Sequence, residues 1–151
     1  MKTWLSYLNE YTEQHSSGDS SFIIKKATDK EISKLRKEMT KNNLHISEGY
    51  FTVLKQMDGI DFRGMMIFGC KEYVSYRNCS IFGLMDSNLD IKDGFPDDKD
   101  TYYGRARDDL LAYSEKLKKY VLMDAVSGTT FEQYDTFMEM LSDWMRVMSN
   151  E

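Results

Sequence analysis

The apolar residues of this chain change their spacing twice, and that alternation narrows what it can fold into more than any one motif does. Up to residue 57 they recur every three or four positions, as on one face of a helix. Beyond it they gather in short dense runs, as in strands, and from residue 137 the helical spacing returns. Trp4, Leu5, Leu8 and Tyr11 share one face over residues 3 to 15, and the stretch Ser16-Ser17-Gly18-Asp19-Ser20-Ser21 ends that helix. Thr28 and Glu31 stand at capping-box spacing, so hydroxyl and carboxylate satisfy free N–H groups at a helix start, with Ile32, Leu35 and Met39 inward. Ser47 caps a third helix bearing Tyr50, Val53, Leu54 and Met57, and Asp58-Gly59 stops it.

Met65-Met66-Ile67-Phe68, bounded by Gly64 and Gly69, reads as a buried strand. Residues 71 to 100 are less regular: a short helix near residues 81 to 91, then Gly94, Pro96 and aspartates in a solvent-facing loop. Thr101 to Ala106, Leu110 to Tyr113 and Tyr120 to Asp124, separated by polar turns at Asp108-Asp109 and at residues 114 to 119, predict an antiparallel meander. A second capping box, Thr136 and Glu139, opens a closing helix with Phe137, Met140, Leu141, Trp144, Met145 and Met148 on its apolar stripe. Helices, then strands, then a helix is the α+β order. With 41% of its 151 residues hydrophobic, the chain has material for one sizeable core, so a single domain over residues 1 to 151 is expected.

The residues offer little to catalysis. His15 and His45 are the only histidines, and there is no nucleophile elbow, phosphate loop or dinucleotide fingerprint. Cys70 and Cys79 have neither disulfide nor zinc spacing and are expected as free, buried thiols. Asp86, Asn88 and Asp90 start like a calcium loop, but Ile91 stands where the turn needs glycine and Asp97 where a glutamate should close it. No metal and no cofactor is expected. The opening Met1-Lys2-Thr3-Trp4-Leu5 is interrupted by Asn9, Glu10 and Glu13 before a signal core is complete, and no run has membrane-spanning length. A cytoplasmic protein is expected.

A net charge of −5 disfavours a general nucleic-acid binder, which needs a basic face to displace counterions. Residues 86 to 109 hold eight aspartates against Lys92, Lys99, Arg105 and Arg107, a net of −4. This cluster is either a solubilising face or an acidic docking surface for a basic protein partner. On the second reading the contact residues are Asp86, Asp90, Asp93, Asp97, Asp98 and Asp100, with Phe95, Tyr102 and Tyr103 as aromatic anchors.

Residues 50 to 69 end a helix in Asp58-Gly59 and run through a hydrophobic strand to Phe68-Gly69. Later come Tyr103-Gly104, Asp108-Asp109-Leu110-Leu111-Ala112-Tyr113, Lys119 to Asp124, and Thr136 to Leu141. In these motifs the chain resembles the SUKH superfamily, especially its bacterial YrhA-like members, with Asp58 where the family has asparagine and Ser47 capping where it has proline. The resemblance implies helices on a mainly antiparallel sheet, structural roles for Asp58, Gly59, Phe68, Gly69 and Gly104, and no catalysis. It also implies an immunity protein that binds and neutralises a cognate toxin, often a nuclease. A housekeeping regulatory or scaffold module of the same fold, and an enzyme without a visible motif, stay open as alternatives.

Overall fold

A computed structural model describes residues 3 to 14, 25 to 74 and 80 to 149. Its main sheet has six antiparallel strands in the order β1 (Ile60–Phe62), β2 (Met65–Ile67), β5 (Thr101–Ala106), β6 (Asp109–Ser114), β7 (Lys119–Asp124), β8 (Thr130–Tyr134). A small ladder, β3 (Tyr73–Val74) with β4 (Ser80–Ile81), is not hydrogen-bonded into it but touches β1 through β4. The helices are α1 (Trp4–Gln14), α2 (Asp29–Lys41), α3 (Glu48–Gln56), α4 (Leu84–Asp93) and α5 (Phe137–Met148). The fold is α+β, with the C-terminal helix packed on the sheet.

The anticipated caps are present. Thr28 accepts the Glu31 N–H at 3.1 Å, and the Glu31 carboxylate takes the Thr28 N–H at 3.0 Å. Ser47 accepts the Tyr50 N–H, and Thr136 that of Glu139. The Glu139 carboxylate departs from the expected box, since it reaches the N–H of Asp135 and not that of Thr136. Ile32, Leu35 and Met39 face inward as expected. In α1 the buried residues are Trp4, Tyr7 and Leu8, while Leu5 turns outward; the Tyr11 side chain and the Ser16 to Ser21 stretch lie outside the described residues. Helix α3 stops at Gln56, because Met57 is already extended at φ −161°.

Four strands, β1, β3, β4 and β8, go beyond the sequence expectation. Ile60 to Phe62 pairs with β2 through Arg63-Gly64, both at positive φ (49° and 88°), the twist that a two-residue hairpin favours. Strand β8 is almost wholly exposed and joins the sheet only through β7. At Asp58-Gly59 the chain turns sharply, with Gly59 at φ 101°, where a Cβ would come within 2.5 Å of Ile81 Cγ2. Gly104 lets β2 and β5 meet, since a Cβ there would fall 2.3 Å from the Met66 carbonyl oxygen.

Pleating sends alternate residues to opposite faces. One face carries the paired Tyr113 and Tyr120, then Leu111 and Leu122, and packs beneath α3 and α5. There the Tyr103 ring sits 4.9 Å from Tyr50, 5.5 Å from Phe137 and 6.2 Å from Tyr120, in the middle of the core. The opposite face carries Met66, Arg105, Leu110 and Met123 as successive cross-strand neighbours, and it is only partly covered.

Candidate functional site

Helix α4 and the segment that follows it lie against that second face. Asn88, 1% exposed, fastens the helix to the edge of β5 beyond the end of β2. Its side-chain oxygen accepts the Tyr102 N–H at 2.8 Å, and its amide donates to the carbonyls of Tyr102 and Leu84, both at 2.8 Å. The amide thus replaces a neighbouring strand for one residue of β5. Its oxygen is committed to the backbone. Among the described residues no group of three or more His, Cys, Asp and Glu side chains is arranged to hold a metal ion.

With Asn88 inward, the outward side of α4 shows Asp86, Leu89, Asp90 and Asp93, spaced to follow one helical face and all exposed. The helix ends at Gly94, after which Phe95 stands 70% exposed and Asp97 is also in solvent. None of these four carboxylates joins an ion pair or hydrogen bond among the described residues.

Asp98 and Asp100 differ, and the expectation of a uniformly solvent-facing loop is corrected here. Asp98 accepts the Tyr102 hydroxyl at 2.5 Å and the Asp100 N–H at 2.9 Å. Asp100 accepts the Glu115 N–H at 2.9 Å, and burial raises its pKa above the ordinary carboxylate value even though that hydrogen bond opposes the shift. Both carboxylates hold the loop onto the β5 to β7 strands. Tyr102 and Tyr103 are likewise corrected as partner anchors. Tyr102 is 4% exposed, with its phenol pushed upward by burial and by Asp98, and Tyr103 is fully buried. Along β5 the burial runs unbroken from Thr101 to Gly104, because one face meets α3 and α5 while the other lies under α4 and its loop. Aromatic content alone does not separate such a doubly covered strand from a contact surface.

Phe95 divides two shallow depressions on this face. One, about 470 Å³, is lined by Phe95, Pro96, Asp97, Asp98, Tyr102 and Met123. The other, about 370 Å³, is lined by Phe82, Ile91, Phe95, Arg105, Arg107 and Leu110, with Asp90 at its rim. Sequence reasoning passed over Phe82, Leu89, Arg105 and Arg107. The two arginines were visible only as neutralisers of the aspartate run, and nothing in the sequence revealed that both would line one depression with Asp90 as its single carboxylate.

The motif residues Asp58, Gly59, Phe68, Gly69 and Gly104 meet behind this surface. Asp58 is fully buried and accepts the Cys70 N–H at 2.7 Å and the Tyr73 hydroxyl at 2.5 Å. Phe68 donates its N–H to the Tyr103 carbonyl and accepts the Tyr50 hydroxyl through its own. Gly69 receives the chain return through its N–H to the Phe82 carbonyl. The Cys70 thiol is half-buried, and burial together with the adjacent Asp58 raises its pKa far above the usual thiol value, which keeps it protonated and weakly nucleophilic. His45 lies elsewhere, stacked at 3.5 Å on Tyr113 with Nδ1 3.1 Å from the Tyr103 hydroxyl. His15 and Cys79 lie outside the described residues.

No helix among the described residues is long and apolar enough to cross a membrane. The fold and this surface define an α+β domain with a partly open sheet face. No family model, curated protein or solved structure matches the chain.

Proposed function

We propose that the protein is a non-enzymatic binding domain of the immunity type, acting in the cytoplasm by docking on a cognate toxin and blocking it. The observation that carries this reading is the outward side of α4: Asp86, Asp90 and Asp93 unneutralised around Leu89, with Phe95 70% exposed at the helix end. An apolar anchor flanked by free carboxylates suits a basic protein surface, such as the groove where a nuclease toxin holds nucleic acid. The resemblance in Asp58-Gly59, Phe68-Gly69 and Tyr103-Gly104 supports the immunity role in particular. The buried Asp58 carboxylate is occupied by the Cys70 N–H and the Tyr73 hydroxyl, and the half-buried Cys70 thiol is held protonated, which favours binding over catalysis.

The test starts from the partner recovered with the protein from its native cell. Replacing Asp86, Asp90 and Asp93 by asparagine should leave the unfolding midpoint nearly unchanged and slow association at low salt. The difference should fade as salt rises, because exposed charges act over only about 8 Å at physiological ionic strength. Association at the wild-type rate at every salt concentration would rule out α4 as the contact. Immunity further requires that co-expression protect cells from the recovered partner. Binding without protection would leave a scaffold module.

A further inference from the structure

We infer that the depression between Phe82 and Phe95 is a docking pocket for an acidic side chain carried on an extended segment of the protein partner, with the Arg105 and Arg107 guanidiniums as its receptors. This rests on the reading of the domain as a protein binder and specifies what the other half of its interface takes.

The charge of the pocket points to an acidic ligand. The chain has 25 acidic residues against 20 basic ones, yet neither arginine forms an ion pair among the described residues. Arg105 lies instead over the Phe82 ring, 5.7 Å from its centroid. Arg107 is displayed on the tight turn after β5, at φ 53°. Two guanidiniums against the single carboxylate of Asp90 leave this pocket net positive within a net-negative protein. A planar guanidinium not engaged by its own protein is suited to a carboxylate, which it can hold through two parallel N–H donors.

The shape of the pocket suits a side chain on an extended segment. Phe82 (37% exposed) and Phe95 (70%) form apolar walls, while the half-buried Ile91 and Leu110 form the floor. A volume of about 370 Å³ admits a side chain or two. Phe95 lines both depressions, so an extended segment crossing that ring can fill the two, whereas a small free carboxylate would occupy part of one and leave much of itself in water. A nucleic-acid backbone is disfavoured, because a run of phosphates would also meet Asp86, Asp90, Asp93 and Asp97. Acid to the arginines and base to α4 gives the partner a required charge order, which fixes its orientation.

The probes are a short capped peptide, Ser-Leu-Glu-Leu-Glu-Leu-Ser, its Gln and Lys counterparts, and glutarate, each titrated to millimolar concentration into the 15N-labelled protein and followed by NMR. The Glu peptide should shift the amides of Phe82, Phe95, Arg105 and Arg107 saturably and bind roughly tenfold tighter than the Gln peptide, with the Lys peptide weaker still. Arg105→Gln/Arg107→Gln, two exposed positions, should abolish that preference with an unchanged thermal midpoint. Equal binding of the Glu and Gln peptides, a preference that survives the double substitution, glutarate binding as tightly as the peptide, or no shifts would each overturn the inference. The α4 measurement on the native partner is independent: loss of the peptide preference leaves the α4 contact standing, and failure of the α4 contact leaves the peptide preference intact.

Discussion

Asn88 has three hydrogen bonds on two atoms, and a side chain of that size cannot be replaced without orphaning backbone groups. Asn88→Ala would leave the N–H and C=O of the buried Tyr102 unpaired, so a loss of about 3 kcal/mol is expected in urea unfolding. Asn88→Asp keeps the acceptor but loses both donors, and should also destabilise. In the sequence this residue stood in an incomplete calcium-loop pattern at what read as a solvated helix end, because spacing along a chain does not say which side of a helix meets a strand edge. His45 is a second case of a residue whose role depends on the fold. Tyr103 donates its hydroxyl proton to the His45 carbonyl at 2.6 Å, so Nδ1 of the neutral ring is the donor in the contact with that hydroxyl. Burial lowers the His45 pKa from 6.5, with Glu115 opposing and Lys118 assisting. Above that pH the ring is neutral in both folded and unfolded chains. As pH falls below it the unfolded chain takes up a proton that the folded one resists, so stability declines until the folded value is passed. Urea unfolding between pH 7 and pH 5 should show this slope, and His45→Gln should flatten it.

Helix α5 shows how elements divide their stability between ends and faces. Thr136→Ala removes a cap and should cost about 1 kcal/mol, whereas Trp144→Ala empties a buried site and should cost about 3 to 5 kcal/mol. Equal, negligible changes in urea unfolding would mean that the helix does not pack on the sheet. This helix was legible because its signal is local: a capping threonine and an apolar stripe at helical spacing. The meander β5 to β7 was legible for the same reason, through dense apolar runs between polar turns. Strand β1 is only three residues long, and its hairpin turn is Arg-Gly in place of the usual Asn-Gly, so its alternation was too brief to register. Strand β8 was invisible because a strand held only by backbone pairing to one neighbour needs no apolar pattern of its own.

On the scale of the whole molecule, the sheet has one face sealed by α3 and α5 and another partly left to α4 and its loop. The acidic residues divide along the same line: Asp86, Asp90, Asp93 and Asp97 are free, whereas Asp98 and Asp100 anchor the loop. A sequence can report that negative charge is concentrated. It cannot report which carboxylates the backbone consumes, and the free surface is therefore smaller than the cluster and set closer to α4. Among the described residues the sheet also stops at β8 without a further strand, with Phe131 51% and the neighbouring Val126 91% exposed. An unfinished row of N–H and C=O groups beside such residues is a template for edge-to-edge aggregation between copies. Glu132, exposed on that strand, acts against such pairing, since a second copy added along the edge would have to accommodate two unneutralised carboxylates.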